Sequence, residues 1–101
     1  MATEGDSSVT SMAPPGIGRL IRLARQRRGL SQYQVADALA SCSGNHCVDR
    51  NRVARWERGG RVPDPYWRHW LGLVLELPRG RLDQAARISY AQRDYYGRIR
   101  R

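Results

Sequence analysis

The sequence predicts an all-α domain of five helices, and three observations support this fold class. Apolar residues recur at helical spacing in successive segments, no segment alternates in the manner of a β-strand, and short stretches with glycine or proline separate the segments. Hydrophobic residues make up 41% of the 101 residues and include three tryptophans. This length and composition can bury one modest core, so we expect a single compact domain.

The first two helices are predicted from apolar stripes and from residues that start or stop a helix. The first stripe is followed by Gly29, a typical C-terminal stop. Ser31 and Gln34 have the spacing of a capping box, which starts the second helix. The stripe residues are Ile17, Leu20, Ile21 and Ala24 in the first helix, and Val35, Ala36 and Leu39 in the second.

A loop and a third helix follow. Residues 41–48, "SCSGNHCV", are polar with one glycine and predict a loop. Asp49 is a good N-cap for a third helix over residues 50–58, and Gly59 with Gly60 ends that helix.

The fourth and fifth helices are predicted in the same way. Asp64 with Pro65 opens the fourth, because proline fits the first turn of a helix. Pro78 and Gly80 separate it from a last helix over about residues 81–98. The expected core residues are Trp67, Trp70, Leu71, Val74 and Leu75 in the fourth helix, and Leu82, Ala85 and Ala86 in the fifth.

Composition divides the chain into three stretches. Residues 1–15 are small and polar, include the acids Glu4 and Asp6, and predict a disordered leader. Residues 16–78 are expected to form the main domain, and residues 79–101 a C-terminal helix.

All eighteen basic residues are arginines and lie after residue 15, where they face seven acids. A net charge of +9 and a pI near 11.0 favour an anionic partner: nucleic acid first, an acidic protein or a membrane surface second.

The third helix separates its residues by angle. At about 100° per residue, Val53, Trp56 and Glu57 project to one side. The other side holds arginine and asparagine without an acid, and these residue types read guanine and adenine edges in the major groove of DNA. They are Asn51, Arg55 and Arg58, with Arg50 at the first turn and Arg52 at the flank. The alternative is a solvated charged face, which the lack of compensating acids makes less favourable.

Two motif blocks resemble a known family. "GLSQYQVADAL" followed by "VARWERGGRVP" and an apolar fourth helix is similar to the helix-turn-helix domain of the Cro/C1-type (XRE-like) repressors. The resemblance covers about residues 17–77 and implies a lambda-repressor-like fold that binds double-stranded DNA. The matching residues are Leu30, Ser31, Gln32, Val35, Ala36 and Leu39 in the first block, and Val53, Trp56, Glu57, Gly59 and Pro63 in the second.

The resemblance also implies roles for individual residues. The second helix would cross the DNA backbone, and the third would be the recognition helix. Base contacts are expected from Arg50, Asn51 and Arg55. Gln32 matches a position that contacts phosphate and buttresses the recognition helix. Further phosphate contacts are expected from Arg52, Arg58, Arg61, Arg19 and Arg22.

Glu57 stands out as an acid among arginines. In the family, an arginine on the first helix pairs with the glutamate of the second block, and Arg25 occupies the matching position. The resemblance therefore implies a buried Arg25–Glu57 ion pair. The alternative is a surface glutamate that balances Arg55 or Arg58.

One departure from the family pattern lies between the second and third helices. Leu39 and Val53 are fourteen residues apart, which implies an enlarged loop with an insertion of about seven residues. Cys42, His46 and Cys47 in this loop leave three alternatives: a zinc site, a redox thiol pair, or a plain loop. The spacing is not a standard zinc pattern, so the plain loop is favoured and no metal or other cofactor is expected.

The C-terminal segment also leaves three alternatives. It can pack back on the domain through Leu82, Ala85 and Ala86. It can form a dimer contact on a pseudo-palindromic site, or serve as a basic tail that adds DNA affinity. The dimer contact would use Tyr90, Tyr95, Tyr96 and Ile99, and the tail would use Arg98, Arg100 and Arg101.

Together these features favour a sequence-specific DNA-binding protein, most simply a bacterial transcription regulator. An antitoxin or adaptor whose main partner is a protein is the alternative. The chain shows no arrangement typical of an active site, so we do not expect an enzyme. It contains no signal-peptide pattern and no apolar run of membrane-spanning length, so we expect a cytoplasmic protein associated with the nucleoid.

Overall fold

The computed structural model describes residues 14–99, with the side chains described through residue 95. This part of the chain is all-helical, contains no strand and forms one compact globule, so the predicted all-α class is confirmed. The leader prediction lies almost entirely outside the described residues. The helices are α1 (Ile17–Arg27), α2 (Gln32–Ser43), α3 (Arg50–Glu57), α4 (Pro65–Leu75) and α5 (Arg79–Ile99).

Local capping signals set the starts of α2, α3 and α4, as the sequence predicts. The Ser31 hydroxyl accepts from the backbone N–H of Gln34 at 3.0 Å, and the Gln34 side chain accepts from the backbone N–H of Ser31 at 2.8 Å. The carboxylates of Asp49 and Asp64 each accept from the backbone N–H three residues later, at 2.9 and 3.0 Å. These bonds satisfy N–H groups that have no partner within the helix.

The predicted loop over residues 41–48 is wrong for its first three residues. α2 continues one turn further, to Ser43, whose hydroxyl donates to the carbonyl oxygen of Leu39 at 2.7 Å. The helix then ends at Gly44, which has the left-handed φ of 74° and donates its N–H to the carbonyl oxygen of Ala40 at 2.9 Å. The segment between Leu39 and Val53 therefore contributes helix as well as loop, and the connection from α2 to α3 spans residues 44–49.

Helix α5 packs back on the domain, which confirms the first of the three alternatives for this segment. It begins two residues earlier than predicted, at Arg79, so Gly80 lies in its first turn. The Ser89 hydroxyl accepts from the backbone N–H of Ile17 at 2.8 Å and so satisfies one of the free N–H groups at the N-terminus of α1. The predicted core residues Leu82, Ala85 and Ala86 are all buried.

The other two alternatives for α5 are only partly covered by the structure. Tyr90 and Tyr95 are exposed, with 53% and 60% of their surface accessible. The side chains of Tyr96, Arg98 and Ile99, and the whole of Arg100 and Arg101, lie outside the described residues.

One core joins all five helices. Trp56 of α3 lies within it at 1% exposure, and its ring centroid is 6.1 Å from that of Trp67 on α4. Trp70 and Val74, which we expected in the core, are only half-buried and pack against its edge. The predicted stripes of α1 and α2 are buried throughout: Ile17, Leu20, Ile21, Ala24, Val35, Ala36 and Leu39.

Helices α1 and α3 lie in close backbone contact at Gly18, a residue that the sequence did not single out. A Cβ atom placed on Gly18 would lie 2.5 Å from the carbonyl oxygen of Trp56 and 2.8 Å from that of Glu57. Both neighbours are backbone atoms, so they cannot rotate away as a flexible side chain would. Glycine here lets α1 rest directly against the C-terminal turn of α3.

We therefore expect Gly18→Ala to lower the free energy of unfolding by about 1–3 kcal/mol, the usual effect of forcing a methyl group into a packed site. Chemical denaturation of the purified chain measures this change. Gly80→Ala is the matched control, since a Cβ on Gly80 meets nothing within 4 Å. It should be neutral or slightly stabilising, because alanine favours the helix by up to about 1 kcal/mol. Equal effects of the two substitutions would contradict the close contact at Gly18.

Candidate nucleic-acid interface

Helix α3 divides into a buried and an exposed side, as its angular pattern predicts. Val53, Ala54, Trp56 and Glu57 are buried. The exposed side carries only positive and neutral polar groups: Arg50, Asn51, Arg55 and Arg58. The apolar side packs against α1 and α2, which fixes the direction in which the exposed side faces solvent.

Glu57 is the polar centre of this packing, and its side chain is completely shielded from solvent. Arg25 of α1 donates from Nε to Glu57 Oε2 at 2.6 Å and from Nη2 to Oε1 at 3.0 Å. Gln32 of α2 donates from Nε2 to Oε1 at 2.9 Å. The Arg25–Glu57 ion pair is thus present, and the alternative of a surface glutamate is wrong.

Two further contacts surround this cluster. Arg25 also donates from Nη1 to the carbonyl oxygen of Leu30 at 2.9 Å, so it joins the turn after α1 to α3. The Nε of Arg22 lies 3.5 Å from Glu57 Oε1, although half of the Arg22 side chain is exposed. Of the expected phosphate contacts, Arg22 and Gln32 are therefore already engaged with Glu57.

Burial alone would raise the pKa of Glu57. The hydrogen bonds from Arg25 and Gln32, together with the charge of Arg25, outweigh this effect and hold the pKa below the ordinary value of a glutamate. The same hydrogen bond to Glu57 raises the pKa of Arg25. Both groups are therefore charged at neutral pH.

The expected base-contact residues lie together on the exposed side of α3. Arg50 donates from Nη1 to Asn51 Oδ1 at 3.1 Å. A Cβ on Gly60 would lie 3.1 Å from Cγ of Arg55, so the absence of a side chain at Gly60 makes room for the Arg55 stem. Asn51, Arg55 and Arg61 line one open cleft of about 380 Å³ beside α3, which we call the α3 cleft.

Arg52 occupies a position that its sequence spacing did not reveal. Its guanidinium carbon lies 5.5 Å from the ring centroid of Trp67 and 6.0 Å from that of Trp56. Cation–π attraction of this kind restrains the side chain without consuming its charge. Arg52 therefore lines the α3 cleft as a cation whose position is restrained by the two tryptophan rings.

The remaining expected phosphate contacts fall elsewhere. Arg19 of α1 and Arg58 after α3 are exposed and line a second open cleft, next to Gly18. Within the described part of the chain, neither of them forms an ion pair, and the same holds for Arg55 and Arg61. Their charges are available to an external anion.

The loop cysteines show no assembled site. Cys42 and Cys47 are both exposed and unpaired, and His46 is exposed. Among the described residues, no three histidine, cysteine or acidic side chains are grouped so that they could hold a metal ion. No helix within residues 14–99 is long and apolar enough to cross a membrane.

No protein family, curated protein or solved structure matches this chain in comparisons of sequence and structure.

Glu57→Gln should lower the free energy of unfolding by about 3–5 kcal/mol, because it leaves the guanidinium of Arg25 without its carboxylate in a largely buried place. Chemical denaturation at pH 7 measures the change. Glu76→Gln is the matched control: it removes the partner of Arg28 at 2.8 Å, but both side chains of that pair are substantially exposed. A surface pair of this kind contributes less than about 1 kcal/mol. Equally small effects of both substitutions would contradict a stabilising role for Glu57.

The Glu57 cluster also gives stability a defined pH dependence. A carboxylate whose pKa is lower in the folded chain contributes stability above its unfolded pKa, which is about 4.3 for glutamate. That contribution is lost as the pH falls through the lower, folded-state pKa. The free energy of unfolding should therefore decrease on acidification below about pH 5. In Glu57→Gln it should depend less on pH in this range.

Proposed function

We propose that this chain is a sequence-specific double-stranded DNA-binding protein of the Cro/C1-type (XRE-like) helix-turn-helix class, acting as a bacterial transcription regulator on the nucleoid. One observation carries the proposal. The exposed side of α3 holds Arg50, Asn51 and Arg55 without an acid, while its buried side is anchored through Trp56 and Glu57.

The dimensions of α3 suit the major groove. An α-helix with its side chains is about 10–12 Å in diameter, and the major groove of B-DNA is about 12 Å wide, so the groove admits a helix such as α3. In the proposed orientation, α2 crosses the DNA backbone and α3 enters the groove. The Gln32–Glu57 hydrogen bond would then join the helix at the backbone to the helix in the groove.

The exposed side chains have the donors that base readout needs. Arg55 can offer a bidentate fork to O6 and N7 of guanine. Asn51 pairs with adenine through one donor and one acceptor, but its Oδ1 already accepts from Arg50 in the free protein. Bidentate reading of adenine by Asn51 would use the second lone pair of Oδ1, or would release Arg50 toward a phosphate or a neighbouring base.

Positioning along the backbone would come from the arginines that surround this face. Arg52 and Arg61 flank α3 on one side, and Arg19 and Arg58 lie near its C-terminal end. Arginine and glutamine side chains commonly contact phosphate oxygens, which fixes the register of the protein without reading sequence. Arg22 and Gln32 could add phosphate contacts while they also support Glu57.

Selection of bound duplexes from a random pool tests the proposal directly. We expect enrichment of a defined sequence, with half-sites about one helical turn apart if two copies bind. Six phosphate contacts would give a log–log dependence of affinity on salt with a slope of about −5. An unenriched pool together with a flat salt response would refute DNA binding as the function.

Arg55→Ala should weaken binding to the selected site by about 1–3 kcal/mol and relax the preference at one base pair. Arg87→Ala is the matched control, since it removes one exposed arginine from α5 and not from the α3 cleft. Titration of the selected duplex and of single-base variants measures both effects. If Arg55→Ala weakens all sequences equally, Arg55 positions the backbone and does not read a base.

A further inference from the structure

A third open cleft continues the positively charged surface from α3 toward α5. This α5 cleft, of about 560 Å³, lies between the α3–α4 loop and the C-terminal half of α5. Arg52, Trp56 and Arg61 line it and also line the α3 cleft, so the two clefts form one continuous surface. From α5, Tyr90 and Arg93 complete the lining.

The charge of the α5 cleft is strongly unbalanced. Arg52, Arg61 and Arg93 line it, and none of them has an ion-pair partner among the described residues. Its acid is Asp64, whose carboxylate already accepts from the backbone N–H of Trp67. The N-terminus of α4 partly offsets that negative charge, because it carries the positive end of the helix dipole.

The walls of the α5 cleft are held in place from behind. Arg68 of α4 donates from Nη1 to the carbonyl oxygen of Pro63 at 2.8 Å and from Nε to Asp83 Oδ1 at 2.9 Å. Its side chain is only 13% exposed. Arg68 thereby joins the α3–α4 loop to α5, while the rings of Trp56 and Trp67 restrain Arg52 on the opposite side. A site fixed in this way loses little conformational freedom when it binds.

We propose that Tyr90 and Arg93 bind a backbone phosphate of the same duplex that α3 enters, so that α5 extends the DNA contact beyond the helix-turn-helix. The inference rests on the proposed function. The continuity of the two clefts through Arg52 and Arg61 favours DNA over a separate small anion, because successive phosphates of one strand can occupy such a surface. An arginine and a tyrosine hydroxyl are both ordinary phosphate donors.

Arg93→Ala in the full chain tests this contact on the selected duplex. We expect the log–log salt slope to become shallower by about 0.9, the loss of one neutralised phosphate. Arg87→Ala is the charge-matched control: Arg87 is exposed and lies about 120° around α5 from Arg93 at 3.6 residues per turn. It should leave the slope unchanged. Arg93→Lys should retain the slope, and Tyr90→Phe should weaken binding several-fold without changing it.

Thermal unfolding of each variant checks that the fold is intact, and sedimentation of the free protein checks its assembly state. If the original chain binds no duplex, the proposed function fails, and this inference fails with it. If the chain binds but Arg93→Ala and Arg87→Ala behave alike, only this inference is overturned. If Arg93→Ala changes the assembly state and not the salt slope, the α5 cleft is an interface between copies, which also overturns it.

Discussion

The position of α3 depends on one buried carboxylate. Glu57 has lost its contact with water, and this loss is offset only where Arg25 of α1 and Gln32 of α2 both reach it. Three helices must therefore meet in one arrangement for the charge to be satisfied. Apolar packing alone would tolerate small rotations of α3, whereas a bidentate ion pair does not. The direction in which the arginine side of α3 faces solvent follows from this constraint.

Two further contacts act together with the Arg25–Glu57 ion pair. At Gly18, the backbone of α1 touches the last turn of α3, so the two helices cannot slide apart without leaving a void. Beyond the turn, Arg68 holds the carbonyl group of Pro63 and thereby the loop that carries Arg61. The helix and the loop are thus fixed independently. A surface whose side chains are held in place in this way loses little conformational freedom on binding.

Local features of the fold could be predicted from the sequence, but tertiary contacts could not. The caps at Ser31, Asp49 and Asp64 depend on residues three positions apart, so their spacing was sufficient. The extension of α2 to Ser43 was missed, because its small polar residues favour a loop locally, whereas the helix continues until Gly44 adopts a left-handed conformation. The Arg25–Glu57 pair came from the resemblance to a family and not from spacing. Contacts between segments that are distant in the sequence have no local sequence pattern, so they could not be predicted. They join Gly18 to α3, Ser89 to α1, and Arg52 to Trp67.

The distribution of the acids explains how one residue type serves two purposes in a chain with eighteen arginines and no lysine. Glu57 and Asp83 pair with arginines of α1, α4 or α5, Glu76 pairs with Arg28 directly after α1, and Asp49 and Asp64 cap helices. Arginines that pair with these carboxylates have a structural role. Their planar guanidinium group suits paired hydrogen bonds that an ammonium group cannot make. Within the described residues, the exposed arginines of α3 and its loop form no ion pair with a carboxylate. Their positive surface therefore results from where the acids are placed, and a count of basic residues could not have located it.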